Sequence, residues 1–246
     1  MEESHNTFKL TKTYDRKIKN PVLTVVMLHG IASDSHTFDK TIAYLEKDEK
    51  LSNVRLVTFD LLGSGKSPKD DNTMSYGYRD QLGALHRSIE DLKANSKIVL
   101  VGHSMGTLIA TRYASKHKDI VKQLILVSPP IYTEADMANP LFSKGMKVFE
   151  EAISIKDPGI LREKSFRNVM DKIILDKKNS EVLASIDTPT VLIYGAADQF
   201  IASYNIPRLL AGNPEYLTAI KTNRGHGVSQ DKYVEIDKIL RKLVDA

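Results

Sequence analysis

The sequence predicts an α/β fold, a mostly parallel doubly wound sheet of about eight strands with helices on both faces and an inserted helical cap. Short, continuous runs of Val, Ile and Leu are typical of strands buried on both faces. Segments with helical spacing lie between these runs, and such alternation indicates a parallel sheet. The alternation stops after Pro130 and resumes at Thr188, which indicates an insertion.

The predicted strands follow from these apolar runs. Five of them are continuous and predict buried strands: Val22–Leu28, Val54–Phe59, Ile98–Val101, Leu124–Val127 and Val191–Tyr194. A further strand is expected at Leu217–Lys221. An edge strand is expected within Thr7–Tyr14, because the turn residues Asn20–Pro21 separate it from the first buried run.

The predicted helices follow from apolar residues spaced three or four apart. Helices of the main domain are expected around Phe38–Leu45, Tyr78–Leu92, Leu108–Tyr113, Ile206–Leu210 and Gln230–Val244. The last of these has an apolar stripe formed by Ile236, Ile239, Leu240 and Leu243. That stripe predicts a C-terminal helix with one buried face.

The predicted domains are a core of residues 1–130 and 188–246 and a helical cap of residues 131–187. Within the cap, one helix face carries Phe142, Met146, Phe149 and Ile153, and a second carries Val169, Ile173 and Ile174. Asp157–Pro158–Gly159 is expected to break the segment in two. These stripes are equally consistent with packing on the main domain, and both arrangements can hold together.

Composition narrows the functional classes. Lys and Arg number 35 against 31 acids, a net charge of +4, and the basic residues are scattered among acidic ones, so no nucleic-acid partner is expected. The chain has no cysteine, and no paired-histidine motif suggests a metal, so neither metal nor cofactor is predicted.

Met1–Asn20 lacks the apolar core of a signal peptide, and no apolar run is long enough to span a membrane. The expectation is a cytoplasmic monomer or homodimer without stable membrane insertion.

The strongest motif is Gly102–His103–Ser104–Met105–Gly106. It follows the run Ile98–Val101 directly and precedes a predicted helix, which is the strand–turn–helix context of an exposed nucleophilic serine. Glycines on both sides permit the sharp turn, and the helix N-terminus favours developing negative charge. We therefore predict Ser104 as the nucleophile; the alternative is a helix cap without chemistry.

A serine hydroxyl needs a base, and the base needs an orienting carboxylate. In this architecture the acid and then the histidine follow the serine along the chain. His226 lies in a glycine-flanked loop, whereas His117 lies between two lysines at an exposed helix end, so His226 is the predicted base. Asp198 follows a predicted strand and is the predicted acid. The alternatives are Glu134 and Asp136, which follow an earlier strand.

Negative charge on a tetrahedral intermediate requires hydrogen-bond donors. The predicted donors are the backbone N–H of Met105, directly after the serine, and that of Ile31 in the loop His29–Gly30–Ile31. His29 itself is expected to bond this loop rather than to react.

The segment Asp60–Ser67 resembles a phosphate-binding loop only superficially. A Walker A loop requires a glycine at the position of Asp60, and a dinucleotide loop requires one at Lys66. The segment is therefore predicted to be a structured turn near the site, without a nucleotide.

Together these motifs resemble the α/β-hydrolase fold superfamily, specifically its serine carboxylesterases and lipases. The resemblance covers nearly the whole chain and rests on His29–Gly30, Asp60–Ser67, Gly102–Gly106, Gly195–Asp198 and Gly225–His226. It implies eight mostly parallel strands with one antiparallel strand near the start, and a helical cap at 131–187. A serine at 104 distinguishes the chain from related dehalogenases and epoxide hydrolases, which use aspartate. The histidine directly before the serine, His103, resembles the residue found there in esterases and lipases more than the one in C–C bond hydrolases.

The predicted function is carboxylesterase activity on small to medium esters through an acyl-enzyme. Phe142, Met146 and Phe149 are candidate substrate-binding residues, although they equally fit plain packing. The same three catalytic groups could serve a C–C bond hydrolase, a thioesterase or a perhydrolase, since fold alone does not select the reaction. An alternative of another class is a non-catalytic ligand-binding module.

Overall fold

A computed structural model describes residues 7–154 and 163–246. Its centre is one seven-stranded sheet with the order β1-β3-β2-β4-β5-β6-β7. The strands are β1 (Thr11–Asp15), β2 (Leu23–Leu28), β3 (Val54–Asp60), β4 (Ile98–His103), β5 (Val121–Val127), β6 (Thr190–Gly195) and β7 (Leu217–Thr222). Each predicted strand is present, and seven strands form from the described residues where the resemblance implied eight.

The strand order positions the loops that matter for function. β1 pairs antiparallel with β3, and the remaining neighbours are parallel, with Leu28 opposite Gly102 in the β2–β4 pair. The chain moves from β2 outward to β3 and then crosses back to β4 on the other side of β2. Ligands of open α/β sheets bind at such a switch point, beyond the carboxyl ends of the strands.

Helices cover both faces of the sheet. In the described residues they are α1 (Asp39–Leu45), α2 (Tyr78–Asp91), α3 (Met105–Ala114), α4 (Glu134–Ala138), α5 (Pro140–Ser154), α6 (Glu163–Val169), α7 (Asn179–Ala184), α8 (Ile206–Gly212) and α9 (Gln230–Val244). One apolar cluster joins α2 and α3 to one face through residues such as Leu85 and Ile109. A second joins α1 and α9 to the opposite face through Leu45 and Ile236.

The segment between β5 and β6 packs partly on the main core and partly along the cavity described below. Its second half, from α6 through a π-helical turn at Met170–Ile174 to α7, belongs to the main core, where Met170, Ile173 and Leu183 are buried. Its first half contains α4 and α5. Both Phe149 and Ile153 lie in α5, but their side chains fall outside the described residues, as does Asp157–Pro158–Gly159.

Candidate active site

Ser104 occupies a strained turn between β4 and α3. Its φ of 50° and ψ of −120° are unusual for a residue with a side chain, and such conformations cost about 1–3 kcal/mol. The turn is held by the Ser104 N–H, which donates to the Val127 carbonyl at 2.9 Å, and by the Thr107 N–H, which donates to the Ser104 carbonyl at 2.9 Å. Strain that the surroundings maintain in this way presents the side chain beyond the sheet.

Gly106 explains why the turn tolerates no side chain on its helical side. A Cβ atom added there would lie 2.1 Å from the Leu28 carbonyl oxygen and 2.7 Å from that of His29. The helix therefore begins directly against the end of β2. Ser104 and the loop after β2 consequently lie side by side at the switch point.

His226 and Asp198 form a hydrogen-bonded pair. The Nδ1 atom of His226 lies 3.0 Å from both carboxylate oxygens of Asp198, so Nδ1–H donates and Nε2 remains available as an acceptor. The Asp198 side chain is fully buried, and that of His226 is 19% exposed. His226 lines the same cavity as Ser104. Within the described residues, no hydrogen bond yet joins the Ser104 hydroxyl to His226.

Asp198 is kept ionised by its partners. Burial alone would raise its pKa, but the hydrogen bond and charge of His226, the Phe200 N–H and the Ser128 hydroxyl together lower the pKa below its usual value. The Phe200 N–H donates to Asp198 Oδ1 at 3.0 Å. An ionised carboxylate at this position holds the imidazole in one tautomer and stabilises the imidazolium.

The alternative acids have other partners. Asp136 caps α4 by accepting from the Thr133 N–H at 2.7 Å, and it also accepts from the Asn205 side chain at 2.7 Å and from the Tyr204 hydroxyl. Glu134 is exposed and pairs with Lys177 at 3.2 Å. Neither position replaces Asp198 as the partner of His226.

The alternative base also lies in a different environment. His117 stacks on His86, with 4.6 Å between ring centroids, and on Tyr113 at 4.3 Å. These contacts join the end of α3 to α2. His117 is therefore a packing residue between two helices.

Two buried side chains hold the His226 loop, a role that the sequence analysis assigned to neither of them. His103 Nε2–H donates to the His226 carbonyl at 3.0 Å, and burial lowers the pKa of His103 to about 3, so this ring is neutral. Lys232 also donates to the His226 carbonyl, at 3.2 Å. Lys232 lies one helical turn before Ile236 on the buried stripe of α9. Its position on that stripe is the feature of the sequence from which its burial could have been predicted.

The two predicted donors lie in the segments beside Ser104. Met105 follows Ser104 directly, and Ile31 follows Gly30, where an added Cβ atom would lie 3.0 Å from the Ser104 Cβ atom. Met105 is the first residue of α3, so its N–H has no partner within the helix. In the described chain, neither this N–H nor that of Ile31 donates to another protein group.

His29 and the loop after β3 are structural. The His29 Nε2 atom accepts from the Leu61 N–H at 2.9 Å, and Nδ1 lies 2.7 Å from the Gly30 carbonyl. The Asp60 carboxylate accepts from the N–H groups of Ser35 at 2.9 Å and Lys66 at 2.7 Å. These bonds hold the turn after β3 against the loop after β2.

A cavity of about 490 Å³ opens above Ser104 and His226. This volume is within the usual range for small-molecule sites. Its described walls are mostly apolar and include Phe142, Met146 and Ile174 from the segment after β5. Of the predicted substrate-binding residues, Phe142 and Met146 therefore face the cavity, while the side chain of Phe149 lies outside the described residues.

Across 7–154 and 163–246, His, Asp and Glu form no group of three or more that could hold a metal ion. Among the helices of the same ranges, none combines the length and apolar character that crossing a bilayer requires.

Comparison with known proteins yields a family match and several relatives. The family described as alpha/beta hydrolase fold matches residues 24–158. The chain is 33% identical over 129 residues to "Probable lysophospholipase BODYGUARD 4" of Arabidopsis thaliana. The matched segment covers 52% of this chain and 30% of that protein. It is 24% identical over 232 residues to Lipase 1 of Psychrobacter immobilis, covering 82% and 70% of the two chains.

Structural comparison extends the likeness to the whole chain. An esterase from Exiguobacterium antarcticum superimposes with a TM-score of 0.73 at 20% identity, covering 99% of this chain and 98% of that one. At this identity the likeness concerns the fold. The chain spans less than a third of the length of the plant relatives it matches.

Proposed function

Because the chain belongs to the alpha/beta hydrolase fold family, we propose that it is a serine hydrolase that cleaves small to medium carboxylic esters. The observation that carries the proposal is the hydrogen-bonded pair Asp198–His226, whose imidazole lines one cavity with Ser104. Relatives named lysophospholipase, lipase and esterase support ester bonds as the target.

The proposed reaction begins with attack by the Ser104 hydroxyl on the ester carbonyl. His226 Nε2 takes the hydroxyl proton, and Asp198 stabilises the resulting imidazolium. Hydrogen bonds between such a serine and histidine are often long in the free enzyme and tighten when substrate binds. The N–H groups of Ile31 and Met105 stabilise the oxyanion.

The acyl-enzyme then completes the cycle. The alcohol leaves with the proton from His226, and the imidazole, neutral again, takes a proton from water. Attack of this water on the acyl carbonyl releases the acid and restores the Ser104 hydroxyl. No cofactor enters any step.

We propose residues 131–187 as the cap that selects the substrate. Support comes from α5, which places Phe142 and Met146 in the cavity wall, and from Ile174 at the end of the π-helical turn. Tyr132 packs edge-on against Phe142, with 4.7 Å between ring centroids, and thereby ties α5 to the end of β5. These apolar walls suit an aliphatic or aromatic acyl group.

The experiment is hydrolysis of p-nitrophenyl esters of increasing chain length by wild type and Ser104→Ala. We expect highest kcat/KM for short to medium chains and a loss on the order of 10⁶-fold in the variant. A fluorophosphonate probe should label wild type but not Ser104→Ala. Ser64→Ala is the matched control, because Ser64 also lies between glycines yet is absent from the cavity wall.

The same experiment separates the alternatives. A ligand-binding module would resist the probe in wild type as well. A thioesterase, C–C bond hydrolase or perhydrolase would be labelled but would prefer thioesters, diketones or peroxide over simple esters and water. Cytoplasmic location and a monomeric or homodimeric state stay predictions, which fractionation of cells and light scattering test.

A further inference from the structure

Lys232 is buried in full, which is rare for lysine. It lies in the first turn of α9, on the face that packs against the sheet. Its ammonium donates to three acceptors: the Ser128 hydroxyl at 2.7 Å, the Gly225 carbonyl at 2.5 Å and the His226 carbonyl at 3.2 Å. Two of these belong to the loop that carries the proposed base.

The two carbonyls settle which atom donates in these contacts. Both can only accept, so each takes a hydrogen from Nζ. The Ser128 hydroxyl oxygen lies 2.7 Å from Nζ and is the third oxygen around it. Ser128 itself is held at a φ of 52°, with its N–H donating to the Ile193 carbonyl at 2.8 Å.

We propose that Lys232 is a positioning residue for the base and acts through the loop that carries His226. Its side chain fixes the backbone carbonyls of Gly225 and His226, and its contact with Ser128 anchors Nζ to the residue directly after β5. This inference rests on the proposed serine hydrolase function.

Two carboxylates and two imidazoles surround Lys232. Burial lowers the pKa of Lys232, and the carboxylates of Asp198 and Asp231 oppose that shift. His226 and His103, whose pKa burial lowers to about 3, are the other titratable groups nearby. The three oxygens around Nζ offset the cost of burying this polar group.

The test replaces Lys232 by methionine, which has similar length and no charge. Lys238→Met is the matched control, because Lys238 lies on the same helix, is largely exposed and pairs only with Glu235 at the surface. Nuclear magnetic resonance at one pH follows the His226 ring protons, assigned by their loss in His226→Gln. For Lys232→Met we expect these resonances to shift and broaden because the His226 loop loses two hydrogen bonds, and we expect Lys238→Met to match wild type.

Kinetics supply the second readout. In Lys232→Met, kcat should fall by about 10–100-fold with KM nearly unchanged, because the base is displaced but the cavity wall is not. Ser128→Ala keeps both carbonyl contacts of Nζ but removes the third oxygen around it, so it should show smaller changes in the same direction. It also decides the matter if Lys232→Met fails to fold.

The outcome that overturns the proposal is a folded Lys232→Met with a lowered Tm but wild-type kcat and wild-type His226 resonances, since Lys232 would then serve stability alone. If Lys232→Met does not fold, wild-type kcat and resonances of Ser128→Ala overturn it equally. Failure of the proposed function is a separate result: wild type would neither hydrolyse esters nor react with the probe, while the His226 resonances would still report on Lys232.

Discussion

Gly195 is the position where one added methyl group should separate the proposed acid from the proposed base. It ends β6, three residues before Asp198. A Cβ atom there would lie 1.8 Å from the Arg224 carbonyl oxygen and 2.9 Å from that of Gly225, whereas ordinary contact begins at 3.4 Å. The segments that carry Asp198 and His226 thus touch at this glycine.

The expected effect of Gly195→Ala follows from this distance. The two backbones must move apart by about 1.6 Å, because both colliding groups are main-chain atoms. A displacement of about 1 Å in a catalytic group can cost 10²-fold in rate, so kcat/KM should fall at least about 100-fold. Overpacking of this kind costs about 1–3 kcal/mol in the free energy of unfolding, which corresponds to a Tm lower by roughly 2–12 °C.

The assay compares this variant with Gly227→Ala. Gly227 adjoins His226 on the opposite side, and a Cβ atom there meets nothing within 4 Å, so activity and Tm should stay near those of wild type. Ester hydrolysis, probe labelling and thermal unfolding are measured on all three proteins. If Gly195→Ala retains wild-type activity and Tm, the close approach of the two segments is not what holds the pair together.

Two further substitutions probe single carboxylates. Asp198→Asn should preserve the fold in circular dichroism but lower kcat by about 10⁴-fold, because an amide no longer selects the required tautomer; a loss under tenfold would contradict this role. Asp136 has its pKa lowered from 3.8 to about 2 because its hydrogen bonds with Tyr204, Thr133 and Asn205 outweigh burial. A carboxyl group whose pKa is lower in the folded than in the unfolded protein stabilises the fold at pH values above its unfolded pKa. This stabilisation is lost as the pH falls through the folded pKa. The Tm difference between wild type and Asp136→Asn should therefore shrink from pH 4 to pH 2, and a difference that stays constant over this range would contradict the reasoning.

The strands were predictable because a strand that is buried on both faces consists of a continuous run of apolar residues. The run Val22–Leu28 became β2, and Leu217–Lys221 became β7 within a residue of the expected bounds. The helix Gln230–Val244 formed over its whole predicted length. Less was predictable between β5 and β6, where α4 and α7 are too short to leave a full helical period and a π-helical turn interrupts the spacing of Val169 and Ile173.

Some residues of the candidate site could likewise be predicted from the sequence, and others could not. Ser104, Asp198 and His226 could be proposed because each follows a strand at one edge of the sheet, and chain order then assigns the roles. Lys232 and Ser128 could not, since a lysine and a serine carry no local mark of burial. What was visible is that Lys232 shares the stripe of Ile236 and Leu240 on α9, a position where lysine is costly unless its ammonium finds acceptors.

The architecture also indicates which part of the molecule sets the geometry of reaction. Ser104 follows β4, while Asp198 and His226 follow β6 and β7, so β5 separates the proposed nucleophile from the pair. The ties across that gap are buried and polar: His103 donates to the His226 carbonyl, and Lys232 donates to that carbonyl and to the hydroxyl of Ser128, directly after β5. Helix α5 contributes apolar wall and none of these ties. Substitutions that alter kcat should therefore concentrate beneath the cavity, and those that alter substrate preference above it.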